Sequence, residues 1–198
     1  MTVICAAIKN GVAAISSDTQ TNFGSTIASA KHKKNSNKLF SVNGSVLGFT
    51  GWCAMADALE HMILTERKLF QLKSRMQIFT TFLELHAKLK KEYFVETKDG
   101  EEQPVESSQI DALIVNKHGL FEISGYREVS EYLTYWSIGS GRNVALGAMH
   151  ALYSEKKTAK QIAEAGVRAA AEFDDGCGLP LNTRTMQMDN KKSGSIAT

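Results

Sequence analysis

The sequence predicts an α+β fold, a four-layer αββα sandwich of two antiparallel sheets flanked by helices. Two pairs of short apolar runs turn back on themselves at Asn10-Gly11 and Asn43-Gly44, the strongest local hairpin signal, because both turn residues tolerate positive φ. Strands come first, then two helical patterns, strands again, two more helices and a last strand, with no strand–helix–strand alternation. Such an order stacks two antiparallel sheets face to face and leaves helix pairs for the outside.

The opening hairpin joins Val3-Ile4-Cys5-Ala6-Ala7-Ile8 to Val12-Ala13-Ala14-Ile15 and ends at Asp18. Its first strand begins almost at the terminus. Thr19 to Asn37 is polar, contains the basic cluster Lys31-His32-Lys33-Lys34, and reads as a loop. Leu39 to Val42 and Ser45 to Thr50 form the second hairpin, and Gly51 ends it. From Ala54 to Leu72, Met55, Leu59, Met62, Ile63 and Leu69 recur at a helical period. A second helix is expected from Gln77 to Tyr93, with Ile78, Phe79, Phe82, Leu85 and Leu89 on one face.

Glu96 to Ser108 is charged, holds Asp99-Gly100 and Pro104, and has little to bury, so it is expected as an exposed loop or hairpin tip. Asp111 to Val115 and Leu120 to Ser124 read as a third hairpin, and Tyr132 to Ile138 as one further strand. Gly141 to Tyr153 and Thr158 to Phe173 are Ala-rich and periodic, with Thr158 a good N-cap. Leu181 to Met188 is the expected last strand, giving one domain over 1–188 and a polar tail over 189–198 that is expected to be mobile.

Composition narrows the function. A net charge of +2 with interleaved signs leaves no footprint of a nucleic-acid binder. Cys5, Cys53 and Cys177 are odd in number, far apart and without metal-ligand spacing, which suits a reducing, cytoplasmic setting and argues against a disulfide framework. No stretch is apolar for long enough to span a bilayer, and no basic leader with an apolar core opens the chain. A protein that neither enters a membrane nor is exported is expected.

Thr2 is the residue whose chemistry stands out. Loss of Met1 would give it a hydroxyl and a free α-amine together, fixed at the start of a strand. A threonine hydroxyl is inert near neutrality until a base takes its proton, and an α-amine with an ordinary pKa of about 8 is close to suitable. The β-branch stiffens χ1 and holds the oxygen in place. By position alone Thr2 could equally be an ordinary first residue of a strand.

Other short motifs punctuate the chain: Ser17-Asp18-Thr19-Gln20, Lys38 before Leu39-Phe40-Ser41-Val42, Gly48-Phe49-Thr50-Gly51, Ile138-Gly139-Ser140-Gly141 and Phe173-Asp174-Asp175-Gly176-Cys177-Gly178. With Thr2, and in this order, they resemble proteasome β-type subunits and their bacterial HslV-type relatives, within the N-terminal nucleophile hydrolases. The resemblance runs through nearly the whole chain. It implies a threonine endopeptidase that needs no metal or other cofactor, acts on polypeptide and assembles into a homo-oligomeric ring. An ATP-driven unfoldase as partner is left open. The acidic stretch around Glu96 to Ser108 and the polar tail depart from the shortest bacterial members and could alter such a partner's surface.

The same resemblance assigns roles. Thr2 would be the nucleophile, and a lysine ammonium held by Asp18 would keep the α-amine unprotonated, since a nearby positive charge lowers an amine pKa. Counting without gaps lands on Lys34, whereas the strand context selects Lys38, which is preferred. Gly51 would offer its N–H to an oxyanion. Ser140 and Asp174 match positions that hydrogen-bond the threonine and its amine, although Ser140 could also be an N-cap and Asp174 a helix-end residue. Phe49 and Cys53 are expected to wall a substrate pocket that favours apolar or medium-sized side chains, and Cys177 to be structural. Met1 is expected to be removed by a general aminopeptidase. A hydrolase of small amides and a silent scaffold subunit are the alternative functions.

Overall fold

A computed structural model of the chain describes residues 1–98, 100 and 102–189. Asp99, Glu101 and the segment 190–198, which holds nearly all of the expected tail, lie outside it. Strands β1 (Val3–Lys9) and β2 (Val12–Ser17) form the first hairpin, with Asn10 and Gly11 at φ 52° and 74°. A short hairpin follows, β3 (Thr21–Phe23) with β4 (Thr26–Ala28), and then β5 (Leu39–Val42) and β6 (Ser45–Thr50) turn at Asn43 and Gly44. Helices α1 (Cys53–Thr65) and α2 (Arg75–Glu92) lead to β7 (Asp111–Asn116), β8 (Gly119–Ile123), β9 (Val129–Tyr132) and β10 (Tyr135–Gly139). Helices α3 (Arg142–Tyr153) and α4 (Ala159–Phe173) and strand β11 (Asn182–Gln187) complete the order.

The sheets are antiparallel: β10-β1-β2-β11 and β5-β6-β7-β8-β9. They stack on each other, as the side chains show. On β1, Ile4 and Ala6 point between the sheets with Ile15, Leu113, Val115 and Leu120, while Val3, Cys5 and Ala7 point at α3 and α4. On β7, Leu113 and Val115 face inward, and Ala112 and Ile114 pack under Leu59, Met62, Phe82 and Leu85 of α1 and α2. Period-2 alternation sends successive residues to opposite faces, and both faces are covered, which yields the four-layer αββα sandwich. Each buried Val, Leu, Ile, Met or Phe side chain among these contributes about 1.5–3 kcal/mol.

Three readings of the sequence need correction. The polar segment after Thr19 contains the β3–β4 hairpin, small enough to escape a pattern search. The helix expected through Leu72 stops at Thr65, and Arg67–Leu69 form a single 3-10 turn that tucks Phe70 and Leu72 into the core. Tyr132 to Ile138 is not one strand. Tyr132 ends β9 in the five-stranded sheet, and Tyr135 opens β10 in the other, so the chain changes layers at Leu133-Thr134. Helix α4 begins as expected at Thr158, whose side chain accepts from the Gln161 N–H in a full capping box.

Candidate active site

Thr2 lies immediately before β1 and is 7% exposed. Register sets its surroundings, because β1 pairs with β2 on one side and β10 on the other. Pairing of Ile4 with Ser17 brings the end of β2, and so Asp18, alongside the start of β1. Pairing of Val3 with Gly139 brings the end of β10, and so Ser140. Gly139 has φ 97°, and a Cβ there would collide with the Thr2 backbone carbonyl. Only glycine lets the two chains approach so closely.

Asp18 is fully buried and completely engaged. Its Oδ1 accepts from the Val3 N–H at 3.1 Å and from Lys38 Nζ at 2.7 Å, and its Oδ2 from the Gln20 and Gly178 N–H groups at 3.1 and 3.2 Å. A buried carboxylate needs such partners, since an unpaired one would forfeit its hydration without return. Lys38 leads into β5 and reaches across to place Nζ 2.9 Å from Thr2 Oγ1. Burial drives the Lys38 pKa below its ordinary value, and the Asp18 charge and hydrogen bond pull it back up. Lys34 is exposed, and neighbouring Lys33 bonds Thr21 Oγ1 at 2.9 Å, so the structure brings Lys38 to the threonine.

Ser140 Oγ donates to Asp174 Oδ1 at 3.2 Å and stands 3.4 Å from the Thr2 carbonyl oxygen. Asp174 is the C-cap of α4 and also accepts from the Gly176 N–H at 2.8 Å. This pair therefore borders the backbone of Thr2, while its hydroxyl donates to the Met1 carbonyl at 2.5 Å. Cys177 is buried near Ser140, with Sγ 3.8 Å from Oγ, and burial pushes its thiol up to about 12. A thiol held neutral in this way is a poor nucleophile.

Thr2 and Lys38 open onto a cavity of about 900 Å³. Gly51, Phe49 and Cys53 all line it, with Phe49 buried and Cys53 exposed. Gly51 has φ 139°, and a Cβ on it would stand 3.0 Å from the Phe49 ring and 3.1 Å from the Gln109 carbonyl oxygen. The side chains of Asp57 and Glu60, one α1 face below Cys53, and of Lys33 also border the cavity. Among the described residues, no group of three or more His, Cys, Asp or Glu side chains could hold a metal ion, and no helix is long and apolar enough to cross a membrane.

Sequence reasoning missed some of the architecture here. Gly178 and Val3 clamp Asp18 through backbone N–H groups, which leave no trace in residue type. Gly139 carried a signal, a glycine between a strand and a helix, without indicating which backbone it faces.

Paired antiparallel sheets between helix layers, with a threonine at the head of a central strand beside a buried lysine–aspartate pair, define an N-terminal nucleophile hydrolase fold. The chain belongs to the proteasome family: the family model described as proteasome subunit matches residues 1–183. It is 31% identical over 177 residues to the ATP-dependent protease subunit ClpQ of Bacillus velezensis, covering 87% of this chain and 89% of the relative. It is 27% identical over 176 residues to the ATP-dependent protease subunit HslV of Lactiplantibacillus plantarum, with the same shares covered. The structure of Thiobacillus denitrificans BPH in complex with epoxomicin superposes with a TM-score of 0.88 at 34% identity, covering 94% of this chain and 98% of that one. The HslV structure from Trypanosoma brucei, at 20% identity and a TM-score of 0.70 over 93% and 99% of the two chains, shares the fold.

Proposed function

We propose that the protein is a threonine peptidase whose nucleophile is the Thr2 hydroxyl, exposed together with its α-amine once Met1 is removed. The observation that carries the reading is the contact of Lys38 Nζ with both Thr2 Oγ1 and Asp18 Oδ1, at 2.9 and 2.7 Å. An ammonium beside the hydroxyl favours negative charge on its oxygen and an unprotonated amine next to it. The hydroxyl attacks a substrate carbonyl and its proton passes to the α-amine; the tetrahedral intermediate collapses as the C–N bond breaks, the amine leaves with that proton, and water then hydrolyses the ester to release the acid and restore Thr2. Gly51 donates its N–H to the oxyanion, and Ser140 with Asp174 orients the N-terminal residue. Phe49 and Cys53 wall the substrate pocket.

The relatives named ATP-dependent protease subunits support a polypeptide substrate and a partner that consumes ATP. The word subunit in those names fits an assembly, which we read as a homo-oligomeric ring in which the cavities face an enclosed space. Three unpaired thiols suit the cytoplasm. The test is cleavage of fluorogenic peptides by the purified assembly and by Thr2→Ala. Activity in the parent that disappears in an equally assembled Thr2→Ala variant is expected; undiminished cleavage by the variant would refute the nucleophile.

A further inference from the structure

A network outside the cavity touches the turn at Gly51 from behind. His86, on the apolar face of α2, is 7% exposed. Its Nε2 lies 3.0 Å from Glu106 Oε2 and its Nδ1 3.3 Å from the hydroxyl of Ser108, which is 1% exposed. The hydrogen bonds have a direction. Lys90, and after it His86, hold the Glu106 carboxyl down at about 2, so this carboxylate only accepts and Nε2 carries the proton. On the other side of the ring Nδ1 shares a hydrogen bond with the Ser108 hydroxyl, whose oxygen accepts from Arg127 Nη1 at 3.2 Å. Arg127 also donates to the Glu106 carbonyl at 2.7 Å.

This relay pins a short segment from three sides. Ser108 N–H donates to the Gly125 carbonyl at 2.7 Å, and Ser107 N–H to the Thr97 carbonyl at 2.9 Å. The next residue, Gln109, has φ 56°, a conformation that a non-glycine side chain adopts only when its surroundings impose it. Its carbonyl faces Gly51 closely enough that a Cβ there would sit 3.1 Å away. Pairing of Thr50 with Asp111 makes Gly51 and Gln109 neighbours at the same end of the β6–β7 pair.

We propose that His86 is a positioning residue for peptide cleavage: through Ser108 it fixes the Gln109 backbone, and the Gln109 carbonyl in turn fixes the Gly51 turn that receives the oxyanion. The inference rests on the reading of Gly51 given under Proposed function. The segment from Glu106 to Ser108 is thereby tied to α2. Substrate binding does not pass through this contact, so its loss lowers turnover and leaves KM in place.

The test measures peptide cleavage by the assembled protein, normalised to subunit concentration, beside hydrogen exchange of the 49–53 backbone. His86→Leu and Ser108→Ala are compared with the parent, with His86→Gln, and with Thr158→Ala, which removes a cap at the far end of α4. Expected are a fall in kcat per site of about three- to tenfold in His86→Leu and Ser108→Ala, with KM within about twofold. His86→Gln recovers at least half of that loss, exchange at 49–53 accelerates in the two deficient variants, and Thr158→Ala changes neither. Unchanged exchange and turnover in Ser108→Ala, or equal losses in Thr158→Ala, would overturn the inference. If exchange responds as stated while the parent protein cleaves no peptide, the coupling to Gly51 stands and the peptidase reading is the one that fails.

Discussion

The carboxylate of Asp18 and the ammonium of Lys38 meet at 2.7 Å, the first with none of its side chain exposed and the second with 14%. Both charges have left most of their hydration, so each depends on the other. Removing one partner of such a pair is far more costly than the pair is stabilising. Asp18→Asn should lower the unfolding free energy by about 3–5 kcal/mol, measured by denaturant titration. A change under about 1 kcal/mol would show that the pair is better solvated than its geometry indicates.

The same pair sets a pH dependence. Burial lowers the Lys38 pKa from its ordinary 10.5, and Asp18 opposes that shift. Between the folded-state pKa and 10.5 the unfolded chain holds this proton and the folded chain does not, so Lys38 makes stability rise with pH across that interval. Activity runs the other way, because the ammonium beside Thr2 is lost. Peptide cleavage should decline on the alkaline side below pH 10.5, and Asp18→Asn should move the decline to lower pH. A pH–rate profile of both proteins checks the direction; a shift to higher pH in the variant would contradict it.

Gly139→Ala tests how closely β10 must approach Thr2. The added methyl would run into the Thr2 carbonyl, and the backbone at φ 97° disfavours alanine. Strain of this kind costs about 1–3 kcal/mol. If Thr2 is the nucleophile, its displacement by an ångström should reduce turnover by about a hundredfold. Thermal unfolding and peptide kinetics measure the two effects, and a variant of parental activity would mean that Thr2 is not held by this strand.

The three thiols should separate by reactivity. Cys53 is exposed in the cavity wall, whereas Cys5 and Cys177 are buried and burial pushes both thiols up to about 12. Limited alkylation of the native protein followed by peptide mass spectrometry should label Cys53 alone and slow peptide cleavage. Labelling of Cys177 at an equal rate would contradict the burial argument.

Much of this architecture can be read in the residues, and its gaps have physical causes. Asn10-Gly11 and Asn43-Gly44 announce their hairpins because few other pairs accept their dihedrals. Strand context separates Lys38 from Lys34, since the residue before Leu39 must enter the sheet beside Asp18. Tyr132 to Ile138 misleads because its large side chains read as one strand, whereas the exposed Leu133 and Thr134 carry the chain from one sheet to the other. The network at His86 is invisible for another reason. A histidine at helical spacing with Phe82 and Leu89 looks like any core residue, and its partners Glu106, Ser108 and Arg127 come from loops and turns that pattern does not place. Likewise, the N–H groups around Asp18 belong to backbone, which the residue types alone do not reveal.

The central claim is that Thr2, once it is the first residue, performs the attack. Intact and peptide-level mass spectrometry of the assembled protein, beside peptide cleavage by the parent and by Thr2→Ala, tests it most directly. The account requires a chain that starts at Thr2 and cleaves peptides, with cleavage lost in an equally assembled Thr2→Ala. A chain that keeps Met1 while cleaving peptides, or undiminished cleavage by Thr2→Ala, would contradict it.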